Sequence, residues 1–181
     1  MKLLTSDRSD CSRQDAIFQP PRSGQMMKNV TAVFLVFCSA SAFATQPTLL
    51  ETALSCQLKD EQIASLMRDL ALQQPAFVKP SQQFGAPSAD IYRLPKPVSA
   101  LGYSSNEVVV TPARVLLAVP AQTVSQAVDK LNLIEEAYSP ASREIRPTVS
   151  VVAFQLSHKE LENKLLVGCQ YANNDAAGWI Q

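Results

Sequence analysis

The chain has 181 residues, in which 16 Lys and Arg are balanced by 16 Asp and Glu. No long block of one sign occurs, which speaks against the clustered basic stripe of a nucleic-acid binder and the polybasic surface of a membrane-docking module. The length allows one ordinary domain with a sizeable core.

Residues 1–26 carry Asp7, Arg8, Asp10, Arg13, Asp15 and Arg22, include Pro20-Pro21, and show no sustained apolar periodicity. Too little of this stretch is apolar to offset the entropy of ordering it. It reads as a disordered leader, or as a misassigned start ahead of Met26 or Met27.

Residues 27–44 have the three parts of a cleavable export signal: Lys28, the apolar run Val30 to Phe37, and the small-residue ending Ala42-Phe43-Ala44. Cutting after Ala44 leaves a mature chain that begins at Thr45. A retained spanning helix needs about 20 mostly apolar residues, and this run is shorter and ends in Ser and Ala. Phe37 is too bulky for the position before a lipidated cysteine, so Cys38 reads as an apolar residue of the discarded signal. The expectation is a periplasmic or secreted protein with no stable membrane anchor after cleavage.

Residues 45–181 hold eleven Lys and Arg against thirteen Asp and Glu, a formal charge of −2. Two cysteines remain, Cys56 near the start and Cys169 near the end. In an oxidising compartment such a pair is most simply one disulfide joining the two ends of the domain. A redox-active pair would be a close C-x-x-C, which neither cysteine provides.

The first helix is expected within Leu58 to Gln73, where Ile63, Leu66, Met67 and Leu70 share one helical face. Asp60 and Glu61 in its opening turn and Arg68 later complement the helix dipole, and Pro75 stops it. From Pro75 to Pro97 five prolines interrupt regular ladders and point to a long surface segment, with a short strand at Ile91 to Leu94. Phe84, Tyr92 and Arg93 are its candidate binding residues. The competing reading is a passive connection that covers a sheet edge.

Strands follow at Val98 to Leu101, Glu107 to Thr111 and Arg114 to Val119, with Gly102 to Asn106 as the first turn. Val115 to Val119 lacks alternation and suggests a central strand buried on both faces. Thr123 to Leu133 reads as the second helix, opened by the Thr123 and Gln126 capping box and stopped at Asn132. After a polar connection come strands at Thr148 to Leu156 and Leu165 to Tyr171. In the last of these, Leu165, Val167, Cys169 and Tyr171 share one face. Between the two, Ser157-His158-Lys159-Glu160 forms one helical turn or a loop. Closely spaced strands with two helices give an α+β domain with a mainly antiparallel sheet.

Chemistry-bearing motifs are scarce. His158 is the one histidine, and the chain has no G-x-S-x-G, H-E-x-x-H, phosphate loop or dinucleotide fingerprint. His158 and Glu160 have the H-x-E spacing of zinc deaminases without the accompanying P-C-x-x-C. Ser157 adjoins His158, but sequence neighbours seldom reach triad geometry. The carboxylate pairs Glu135-Glu136 and Glu160 with Glu162 are ordinary on solvated faces. No cofactor or metal is implied. The expected function is a non-enzymatic module that binds another envelope or secreted protein, such as an inhibitor, immunity factor or accessory subunit. The alternative is a small-ligand carrier, or a hydrolase built from scattered carboxylates and tyrosines.

Overall fold

The computed structural model describes residues 46–85 and 88–180. The leader, the signal stretch and the cleavage residues Ala42, Ala44 and Thr45 lie outside the described residues. Seven strands form one antiparallel sheet: β1 (Gln82–Gly85), β2 (Ser88–Ala100), β3 (Tyr103–Thr111), β4 (Arg114–Pro120), β5 (Ala141–Arg146), β6 (Val149–Phe154) and β7 (Lys164–Tyr171). Their order across the sheet is β1-β2-β3-β4-β7-β6-β5. Two up-and-down runs of strands thus meet at the β4 to β7 pair. Among the described residues five α-helices accompany them: α1 (Leu49–Leu54), α2 (Asp60–Ile63), α3 (Leu66–Gln73), α4 (Val124–Leu131) and α5 (Asn174–Ala177), with one 3-10 turn at Pro75–Phe77. The α+β class holds, with five α-helices among the described residues where the sequence suggested two.

Alternation along the strands sorts side chains onto two faces. Val108, Val110, Val115, Leu117, Val167 and Tyr171 pack with Leu50, Leu54, Ile63, Leu66, Leu70, Ala127 and Trp179 from the helical segments and the chain after α5. The opposite face carries a smaller cluster of Ile91, Val109, Leu116, Ala118, Val152 and Leu166, with Leu161 of the β6 to β7 loop laid against it. Each fully buried Val, Leu or Ile contributes about 1.5–3 kcal/mol, so both faces stabilise the sheet. β4, fourth of the seven, is buried on both sides, which explains its unbroken apolar run.

Local chemistry sets several boundaries. In α4 the Thr123 hydroxyl accepts from the Gln126 N–H, the Gln126 side chain accepts from the Thr123 N–H, and Asn132 ends the helix in the left-handed region. Thr48 and Glu51 make the same reciprocal cap on α1. The helix expected over Leu58 to Gln73 is instead α2 and α3, divided at Ala64-Ser65, where the Ser65 hydroxyl donates to Asp69. The turn between β2 and β3 is only Leu101-Gly102, so Tyr103 to Asn106 are strand. Pro112-Ala113 and Pro147-Thr148 close two further tight hairpins, the second residue of each at positive φ.

The largest departure from expectation is β2, which runs through the proline-rich stretch. Its pairing with β3 lapses between Arg93 and Val98, and its pairing with β1 ends at Ile91. Leu94 to Pro97 therefore pair with neither neighbour, and Pro95 and Pro97 deprive no ladder of a donor. β5 was also unforeseen, being a polar edge strand with little apolar periodicity.

Cys56 and Cys169 form the expected disulfide, 113 residues apart in sequence. Cys56 follows α1 at φ 62°, the left-handed position usually given to glycine. Its N–H donates to the Ala53 carbonyl, and the Gln57 N–H donates to the Thr52 carbonyl, the two bonds that close a Schellman cap. The sulfur leaves this cap and meets β7 on the helix-packed face, where Leu165, Val167 and Tyr171 also lie.

Candidate functional site

The three residues singled out as a binding surface divide between the two faces. Tyr92 points into the helix-packed core: it is 3% exposed, stacks on Phe77 at 4.7 Å between ring centres, and donates its hydroxyl to Asp90 at 3.4 Å. Burial, reinforced by the Asp90 carboxylate, pushes its pKa up to about 12. This corrects the reading of Tyr92 as a surface residue. A proline-rich loop would have exposed it, whereas a strand turns it inward.

Arg93, its neighbour, points to the other face, as does Phe84 from β1. The Arg93 Nε lies 3.1 Å from Glu107, and a second guanidinium nitrogen lies 3.9 Å from Glu160. Lys164 also reaches Glu107. Burial pushes the Glu107 pKa up, but Lys164 and Arg93 together pull it down further, and the net shift is downward. Phe84 meets His158 at 3.9 Å between ring centres. These contacts fasten the β6 to β7 loop across the sheet, so Phe84 and Arg93 are largely engaged within the domain.

The other chemical candidates do not converge. The Nδ1 of His158 accepts the N–H of Glu160, so this nitrogen is not an acceptor for Ser157. Glu160 belongs to the Arg93 network, while Glu135, Glu136 and Glu162 are exposed. Among the described residues no group of three His, Cys, Asp or Glu is placed to hold a metal ion. No described helix is long and apolar enough to cross a membrane.

A groove does form at the other end of the proline-rich stretch. Leu94, Pro95, Pro97 and Val98 of β2 face Leu50 of α1 across a cavity of about 340 Å³, with Lys96 and Glu51 also lining it. Pro95, Lys96 and Pro97 are exposed, and Leu50 is buried beneath them. The surface forms because α1, held by its Thr48 and Glu51 cap, lies beside a strand segment that no other strand covers. Sequence reasoning had located the proline segment but not its partner wall. The Thr48-x-x-Glu51 spacing ahead of Leu49-Leu50 was the available signal for α1. Comparison of the chain with protein-family models, with curated proteins and with solved structures finds no match in any of the three.

Proposed function

We propose that residues 45–181 form an exported, non-enzymatic module that binds another envelope or secreted protein, as an inhibitor, immunity factor or accessory subunit does. In this reading export begins with the signal at residues 27–44, and the protein works in the periplasm or outside the cell. The disulfide is compatible with that oxidising address. The observation that carries the proposal is the Leu94 to Pro97 stretch: extended, proline-stiffened, free of strand partners and bordered by an apolar groove. A partner that grips such a segment orders little new backbone, which lowers the entropic cost of association.

Photo-crosslinking in the producing cell tests this. A crosslinking residue at Lys96 or Val98 should give one discrete protein adduct, while the same residue at exposed Lys159, on the loop across the opposite face, should not. Absence of any adduct at both groove positions, from material shown to be folded and oxidised, overturns the proposal. One observation favours the second reading, ligand binding: the polar cavity around Arg114.

A further inference from the structure

The face of the sheet without helices carries a polar row near one end. Arg114, Gln170, Ser150 and Glu144 stand side by side on β4, β7, β6 and β5. The Arg114 Nε donates to the Gln170 side-chain oxygen at 2.8 Å, and the guanidinium carbon lies 5.4 Å from the centre of the Phe154 ring. Both contacts fix the guanidinium plane and leave the two terminal nitrogens as its unused fork. Arg114 lines a cavity of about 290 Å³ together with Gln170, Ser139, Ser142, Ser150 and Glu136.

Arg93, Arg146 and Lys164 each pair with a carboxylate, whereas none of the ion pairs among the described residues includes Arg114. The group is half-buried, and loss of water lowers its pKa. A guanidinium held in place, partly withdrawn from water and outside every ion pair among the described residues is arranged for an anion from outside.

We propose that this cavity is a carboxylate-binding site, in which the fork of Arg114 takes both oxygens and the hydroxyls of Ser142 and Ser150 stand alongside. A singly charged, planar group fits better than a phosphate. The cavity offers one cation, and the Glu136 carboxylate in its lining opposes a second negative charge. The size suits a small acid or the last residue of a chain. The carboxylate can therefore belong to a free organic acid or to a peptide C-terminus, and the chemistry is the same. The site is independent of the protein-binding reading, because it uses none of the groove residues.

The test uses the oxidised mature protein and nitrogen-15 NMR of the Arg114 Nε and Gln170 side-chain signals. Benzoate should give a saturable shift of both in the millimolar range or tighter, and benzamide should not. Arg114→Lys keeps the charge but loses the fork, and should weaken benzoate about tenfold. Ser150→Ala, which leaves Arg114 in place, should weaken it about 2- to 10-fold and keeps the test alive should the Arg114 variant not fold. A short peptide with a free C-terminus is then compared with its amidated form. Preference for the free terminus over benzoate assigns a chain end as the source, and the reverse order assigns a free acid; both uphold the site. Equal shifts with benzamide, tighter binding of inorganic phosphate, or no saturation with benzoate overturns it.

Discussion

The phenol of Tyr171, at the end of the last strand, donates to the carbonyl oxygen of Ala53 in the first helix, at 2.7 Å and across 118 residues of sequence. Burial raises the Tyr171 pKa, so the group stays a neutral donor. The Trp179 indole packs edge-on against its ring and donates to the Ile63 carbonyl. Together with the disulfide, these contacts bind the first helices to the final strand and the chain beyond it. The Ala53 carbonyl keeps a second donor, the Cys56 N–H, so Tyr171→Phe does not orphan it. We predict a loss of about 1 kcal/mol, read as a lower urea midpoint with an unchanged slope. An unchanged midpoint would show that this bond adds nothing to stability.

Removing the disulfide should cost more. A closed loop of this length is worth about 4–5 kcal/mol in the chain-entropy model. The geometry of Cys56 adds a finer expectation. With Cys169 already replaced by alanine, Cys56→Gly should be about 1 kcal/mol more stable than Cys56→Ala, because alanine keeps the cost of the left-handed conformation and glycine removes it. Denaturant titration of the two variants decides the matter, and equal midpoints would refute the capping argument.

Gly168 sits where β7 lies close to β4. A Cβ there would fall 2.3 Å from the Val115 carbonyl oxygen and 2.8 Å from the Leu116 Cα, and β4 is held by strands on both sides. Gly168→Ala is expected to destabilise by at least about 1–3 kcal/mol, whereas Gly178→Ala, whose nearest contact would be 3.8 Å, should come close to neutral. Thermal unfolding of the pair measures the contrast.

Thr148 is exposed, β-branched and held at φ 68° in its hairpin turn. Thr148→Gly should raise stability by about 1 kcal/mol, since the relief of backbone strain outweighs the added freedom of the unfolded glycine. A lower melting temperature in the variant would count against this account of the turn.

Glu107 makes stability depend on acid. Its folded pKa lies below the ordinary value of 4.5, so it stabilises fully above that value and loses the contribution as pH falls through the folded pKa. Glu107→Gln should therefore lower stability at neutral pH and flatten the decline below about pH 5. Parallel stability profiles for the two proteins would exclude this role.

What the sequence disclosed was local. Thr123, Gln126 and Asn132 act on their own helix, so α4 could be read almost residue by residue. The two cysteines within residues 45–181 permit one pairing with each other, and alternation placed Cys169 on the buried face of β7. The rest depended on neighbours distant in sequence. Pro95 and Pro97 can lie in a strand only because pairing lapses on both sides there. The inward direction of Tyr92 follows from that strand's register. Ser142, Arg143 and Glu144 give β5 no apolar rhythm, because an edge strand is paired on one side only. Arg114 gained its place in a cavity only when Gln170, 56 residues later, came beside it.

The position of β7 governs how the molecule can be assembled. Without residues 164–171 between them, β4 and β6 would each present a bare hydrogen-bonding edge, and Cys56 would lack its disulfide partner. A single late segment thus knits two half-sheets and delivers the covalent tie, so neither half is a finished unit by itself.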